Sequence, residues 1–462
     1  MRATSGLSGV NQIAFDFVYN VEFISHLALV KGYYMSLITL NYGSEGIQVD
    51  IPEHWDVTCI EKKTMPVCHD PADSVLKAFS DPVGSDTLQN AAHGSHDACI
   101  LICDITRPVP NGIILPALIR ELLKAGIAAE NITVLVATGL HRPNEGKELE
   151  ELVGDRWVLD KVRVENHFAQ NDEDHVNLGK SRCGIPIRLD RRFVDADLKI
   201  VTGLVEPHFM AGYSGGRKVI TPGIAHRETI GRFHTARFLE HTQAANCVLE
   251  GNPLHEFQLE ILGKLSPVLA INTVIDDKRR LSYVNFGDIR QSHLAAVDYL
   301  GKYSVIPVEE KFPIVLTSAG GYPLDKTYYQ TVKGMVGAMD ILKPGGDLII
   351  VSECSEGMGS AAYIDAQRRL VSLGAKGFME SLGQKITADV DEWQTEMQLK
   401  PMRIGFIHLF SRGLSDKDRT LTGVAGVDNL KETIRICMGK MENKKIAVIP
   451  EGPYVMPVYN CK

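Results

Sequence analysis

The sequence predicts an α/β protein of two domains, each with a parallel-type sheet. Three observations predict it. The chain is 462 residues long, more than one ordinary hydrophobic core organises. Short apolar runs of strand length recur, each closed by turn residues or by polar, chemistry-bearing side chains at its carboxyl end. Stretches of helical period lie between them, the alternation that goes with parallel pairing.

Taken in order, residues 1–34 carry acidic Asp16 and Glu22 and lack the clean apolar centre of a signal peptide. They read as a poorly ordered extension or as a mis-called start, with Met35 the alternative first residue. "MSLITLNYGSEGIQVDIPEHW" then alternates apolar and polar residues and breaks at Gly43 and Pro52, as a strand and turn do. "ACILICDITRP" (98–108), "ITVLVATGLHRP" (132–143) and "LKIVTGLVEPH" (198–208) read as strands with their loops, and "ILPALIRELLKAG" (114–126) as the helix between the first two. A second series runs through "FPIVLTSAGGYP" (312–323), "GGDLIIVSEC" (345–354), "MRIGFIHLF" (402–410) and "KKIAVIPEG" (444–452). "LGKYSVIPVEEKFP" (300–313) separates the two series, which sets the expected domains at 35–305 and 306–462.

Composition narrows the function. A formal net charge of -8 argues against a general electrostatic grip on nucleic acid. Nine cysteines without CxxC spacing, an odd number, read as reduced thiols of a cytoplasmic protein. No apolar run approaches the roughly eighteen residues of a membrane span, so neither membrane nor nucleic acid is an expected partner.

In open parallel sheets, ligands sit beyond the carboxyl ends of the strands. Asp104, Thr106 and Arg107 follow the first strand, His141 and Arg142 the second, Glu206 and His208 the third. The loop "AGYSGGRK" (211–218) offers backbone amides as a phosphate cradle, with Lys218 as the counter-charge. It is no Walker motif, which needs glycine at 217 and a hydroxyl at 219. By spacing alone, a helix-entry turn explains it equally well. Two histidines facing each other can serve as alternate base and acid, and a third can hold a metal. His234, in "RETIGRFHTARF", lies on an expected helix sixteen residues after Lys218. In "GGYPLDKTYYQTVKGM" (320–335), Gln330 and Lys333 share a helical face beside Tyr329, a candidate carboxylate clamp that spacing alone does not separate from an exposed amphipathic helix.

In combination, "DITRPVP", "ATGLHRP", "EPHFMAGYSGGRKVITPGI", His234 and "GGYPLDKTYYQTVKG" closely resemble the nickel-pincer lactate racemase family, from about Met35 to near the end of the chain. The resemblance implies two α/β domains with the active-site cleft between them. It implies a nickel pincer nucleotide, a pyridinium mononucleotide with sulfur arms, attached covalently at Lys218 and ligated through nickel by His234. His141 and His208 become the paired acid/base residues. Asp104, Gly215, Gly216 and Arg217 fall to cofactor binding; Arg107, Tyr329, Gln330 and Lys333 fall to the substrate. The implied reaction is racemisation or epimerisation of a small 2-hydroxy acid, lactate by default, by proton-coupled hydride transfer. Cofactor-synthesis enzymes are the implied maturation partners. Cys103 and Met210 depart from the family's pattern near the substrate. A non-catalytic carrier of nickel or of the nucleotide is the competing reading; it needs the anchor at Lys218 but not two opposed bases.

Overall fold

The computed structural model describes residues 35–460 apart from 266, 442 and 443. The expected extension at 1–34 lies outside the described residues.

Two six-stranded sheets organise the chain. The first runs in the order Leu281–Asp288, Val268–Ile275, Leu198–Leu204, Ala98–Cys103, Ile132–Ala137, Arg163–Asn166. Every neighbouring pair in it is parallel except the Leu281–Asp288 edge, which pairs antiparallel with Val268–Ile275. Its central strands are buried on both faces, which is why they read as unbroken apolar runs. Successive residues still alternate: Cys99, Leu101, Leu135 and Val201 enter one apolar core, and Ile100, Ile102, Val134, Val136 and Ile200 the other. The crossover helix between the first two strands spans Asn111–Lys124, three residues earlier than the sequence period suggests.

The second sheet is wholly parallel, in the order Ala425–Val427, Phe406–Phe410, Leu342–Val351, Phe312–Ser318, Lys445–Ile449, Asp56–Cys59. Its last strand differs from expectation. Residues 35–60, read from sequence as the start of the first domain, belong spatially with the second sheet. Asp56–Cys59 pairs in parallel with Lys445–Ile449, and Leu40, Tyr42, Val49 and Ile51 of the preceding hairpin pack on Ile314, Leu316 and Ile349. The hairpin's apolar alternation needs an apolar sheet face, and the nearest one in sequence is not the one it covers. A second difference falls at residues 402–410. Met402 to Ile404 close the helix Glu392–Ile404, and the strand starts only at Phe406. Gly405 separates them because a Cβ there would sit 2.2 Å from the Gly346 carbonyl oxygen.

The helix Glu392–Ile404 also fastens the two sheets' units together. Arg403 forms a two-pronged ion pair with Glu240 at 2.6 and 2.9 Å, Lys400 Nζ donates to the Ala244 carbonyl, and just ahead of the helix the Ala388 N–H donates to the Gly231 carbonyl. None of the eight cysteines among the described residues forms a disulfide, and no described helix is long and apolar enough to cross a membrane.

Candidate active site

Three loops at the carboxyl ends of the first sheet's strands meet the helix Tyr328–Ala338, which follows Phe312–Ser318 in the second. Asp104, just past Ala98–Cys103, is 6% exposed, and its Oδ2 lies 2.5 Å from Nδ1 of His141. Its other oxygen accepts from the Thr106 hydroxyl at 2.6 Å. Burial pushes the Asp104 carboxyl up, but the bonds from His141 and Thr106 and the Arg107 charge outweigh it and hold it below its ordinary value. An ionised Asp104 accepts the Nδ1 proton of His141, so Nε2 of His141 carries the free lone pair on a half-exposed ring.

His208 is set differently. It sits in a two-residue ladder, Pro207–His208 against Gly212–Tyr213, and its Nδ1 accepts from the backbone N–H groups of Met210 and Ala211 at 3.3 and 3.2 Å. That leaves the proton on Nε2. Burial, then the charges of Lys218, Arg107, Lys333 and Arg217, hold its pKa well below the usual imidazole range, so the ring is neutral. One histidine presents a lone pair and the other an N–H.

Lys218 belongs to the short helix Arg217–Ile220. Its ammonium makes no hydrogen bond or ion pair among the described residues, and burial together with Arg107 pulls its pKa down to about 7. Lys333 is likewise drawn down to about 7, by burial and then Arg107. Arg107 itself pairs with Glu206 at 3.0 Å. His234 caps the helix Arg227–Phe233; its Nδ1 contacts the Ile230 carbonyl at 2.9 Å, and burial holds it at about 4, which leaves a neutral ring with Nε2 free. Lys218 lies within electrostatic reach of His208 and His234, and Lys333 of Arg107, Asp104 and Lys218, so these side chains share one region of the cleft.

The two depressed lysines have a measurable consequence. Between pH 7 and 10.5 the unfolded chain holds protons on them that the folded chain has released, so stability rises with pH across that window. Unfolding titrations at stepped pH are expected to show a gain of up to about 1.4 kcal/mol per pH unit for each lysine. Lys333→Met removes one share of that slope; an unaltered slope in the variant contradicts the assignment.

The loop's other residues serve the loop. Arg217 is 2% exposed and spends its guanidinium on the Tyr213 and Ala211 carbonyls, on His255 Nδ1 and against His293. It therefore shapes the loop from behind, where the sequence reading had assigned it to the cofactor. Gly215 and Gly216 have φ of +75° and +50°, and a Cβ would meet Val205 and the Leu204 carbonyl at the first and the His293 ring at the second. Both glycines answer to the protein packed against them. Met210, at 3% exposed, packs in the apolar core instead of lining an open surface.

Two contributors escape the sequence reading. Trp393 lays its ring 4.8 Å from that of His234 and directs its N–H toward the Tyr329 hydroxyl at 3.4 Å. It arrives on the helix Glu392–Ile404, about 160 residues from His234 and without any local motif. Tyr454 carries a pKa raised by burial and then by Glu206, so it lies within electrostatic reach of the Arg107–Glu206 pair. Gln330 joins the cleft helix with its amide oxygen buried and without a partner among the described residues.

The Asp104–His141 pair, a neutral His208 and two lysines drawn down toward neutrality stand with Arg107 at the meeting of two parallel sheets, an arrangement suited to proton movement on a small anion. Comparison with known proteins agrees. The family models for the lactate racemase N-terminal and C-terminal domains match residues 42–246 and 308–456, and the chain belongs to the lactate racemase family, whose members are isomerases. A lactate racemase from Thermoanaerobacterium thermosaccharolyticum is 30% identical over 435 residues, covering 91% of this chain and 99% of the relative. One from Lactiplantibacillus plantarum is 34% identical over 291 residues, 63% of this chain and 68% of the relative. The solved apoprotein of the Thermoanaerobacterium enzyme superposes with a TM-score of 0.85 at 29% identity, over 91% of this chain and 99% of that one. A Thermotoga maritima protein shares the fold, with a TM-score of 0.64 at 17% identity over 86% of this chain and all of the other.

Proposed function

We propose that this enzyme inverts the C2 stereocentre of a 2-hydroxy acid, lactate by default, using a nickel pincer nucleotide anchored at Lys218 and ligated by His234. The convergence of Lys218, His234, His208 and the Asp104–His141 pair beside Arg107 and Lys333 carries this reading. The residues fit such a group. Lys218 is an unpaired amine drawn down to about 7, His234 offers a neutral, unused Nε2, and the Gln330 amide oxygen lacks a partner among the described residues. When bound, the nucleotide supplies an acceptor and donor for the hydrogen at C2.

The chain's own residues do the rest. Arg107 and Lys333 receive the substrate carboxylate; Arg107 must first loosen its pair with Glu206. His141 Nε2 takes the hydroxyl proton of one enantiomer, and Asp104 stabilises the imidazolium that results. His208 faces the oxygen of the other enantiomer. To act as a base there it must trade its long contacts with the Met210 and Ala211 N–H groups for the opposite tautomer. The intermediate 2-keto acid turns over between the two rings. The Trp393 and Tyr329 rings help to cover this space from the second unit.

Asp104→Asn tests the orientation claim. It is expected to keep the fold and lower kcat by about 10²–10⁴-fold, because an amide no longer fixes the Nδ1 proton. Turnover within a few fold of the parent contradicts it.

The function itself is tested by maturing the protein with pincer-synthesis enzymes and incubating it with single enantiomers of lactate, malate and gluconate-like acids. Chiral chromatography should reveal the mirror form or epimer of one of them. Retention of cofactor with no interconversion of any substrate would instead favour a carrier, a role that makes no use of the two histidines.

A further inference from the structure

At the opposite edge of the second sheet, three metal-binding side chains converge outside the site described above. Asp347 and His408 stand on the neighbouring parallel strands Leu342–Val351 and Phe406–Phe410, and Cys437 on the helix Leu430–Gly439. In register, His408 lies opposite Ile349, two residues beyond Asp347, so both side chains leave the same face of the sheet. That helix covers this face through Leu430, Ile434, Cys437 and Met438, packed with Ile349, Val351 and Phe410. His408 Nε2 is 2.7 Å from Asp347 Oδ1 and 3.9 Å from Cys437 Sγ, and one donor atom from each residue falls within 4.8 Å of the other two.

We propose that Asp347, His408 and Cys437 form a site for a divalent ion of the zinc and cobalt class. The distances are close to what such an ion needs. A tetrahedral zinc separates imidazole nitrogen from thiolate sulfur by about 3.6 Å and from carboxylate oxygen by about 3.4 Å. The Asp347–His408 pair opens by well under 1 Å and the Cys437–His408 gap closes by less. Charge fits too. Asp347 is 3% and Cys437 1% exposed, and a carboxylate plus a thiolate cancel the ion's two charges, so the complex is neutral where burial requires it. Sulfur, nitrogen and oxygen donors together select a borderline cation over magnesium or calcium. The ligands stand on two strands and a helix, which hold geometry better than loops, and the fourth position is left for water.

Binding is a proton exchange without redox change. The Cys437 S–H releases its proton to water, the His408 ring moves its proton from Nε2 to Nδ1, and the ion takes the freed sulfur and nitrogen lone pairs and an Asp347 oxygen. Burial and the Asp347 charge push the Cys437 thiol up to about 11, with Lys440, the residue that caps that helix, as the opposing cation, so affinity should climb with pH. Asp347 begins the parallel stretch that ends at Val351, about 13 Å along the strand. The site therefore lies at the amino-terminal edge, away from Tyr329 and Lys333, and stands whether or not the proposed function does.

The test is a cobalt titration of the full-length, chelator-treated protein without maturation enzymes. The expected result is a thiolate-to-cobalt charge-transfer band that saturates at one equivalent, is abolished in Cys437→Ser and His408→Gln, and persists in His234→Ala. Absence of the band, or its survival in Cys437→Ser, overturns the proposal. Should those variants fail to fold, thermal unfolding of the parent protein decides. Zinc is expected to raise the melting temperature in proportion to its logarithmic concentration, and an unmoved transition overturns the site.

Discussion

Lys218→Ala is expected to abolish interconversion and, in protein matured with the cofactor-synthesis enzymes, to leave no nucleotide adduct on the chain. The reasoning starts from the amine. An ordinary lysine is almost wholly protonated at neutral pH and is no nucleophile. Lys218 is buried without an acidic partner, beside Arg107, and its pKa falls to about 7, so close to half of it is free base at neutral pH. That is the state in which an amine is acylated. A readout independent of activity follows from the same number. In the apoprotein, the rate of Lys218 acylation by a small activated ester, read by peptide mass spectrometry, should reach half its maximum near pH 7. The exposed Lys77, whose pKa is raised by Asp73, should still be gaining rate at pH 10. A Lys218 profile that follows Lys77 would remove the basis for the anchor. Lys218→Arg should be as inactive as the alanine variant, because guanidinium keeps the charge and loses the nucleophile.

His141→Ala and His208→Ala are each expected to reduce kcat by about 10²–10⁴-fold, the usual range for loss of a positioned acid or base. The two should not behave alike. His141 rests with its lone pair free and a carboxylate behind it, whereas His208 rests with Nδ1 engaged by two backbone N–H groups among four basic side chains. The direction of reaction that needs His208 as base therefore begins from the wrong tautomer. A racemisation has an equilibrium constant of one, so kcat/KM is the same both ways. The difference must appear as kcat and KM shifting together between the two enantiomers. Equal kcat in both directions, or near-normal turnover in either alanine variant, contradicts this arrangement.

Much of this was legible in the sequence because strand ends in a parallel sheet advertise themselves. Asp104, His141 and His208 each sit just past an apolar run, and burial of those runs on both faces is what made them conspicuous. Lys218 and His234 stood out only through the loop around them. What stayed hidden depended on long-range contacts. Trp393 reaches His234 from a helix that carries no local motif, and residues 35–60 leave their sequence neighbours to complete a distant sheet. Arg217 sits in the most informative motif of the chain yet turns inward, since motif membership says nothing about which way a side chain points. The Asp347, His408 and Cys437 cluster is spread over 91 residues and carries no ligand spacing at all.

In the proposed reaction the histidines handle the hydroxyl proton while the hydrogen at C2 never becomes acidic. Imidazoles are far too weak as bases to remove a C–H proton next to a carboxylate, and the basic side chains around them do not make up that difference. The decisive measurement is conversion of C2-deuterated lactate, as a single enantiomer, by the matured enzyme in ordinary water, with the deuterium content of both enantiomers followed by mass spectrometry. The mirror form is expected to keep its deuterium. Replacement of that deuterium by solvent hydrogen at the rate of inversion would contradict it.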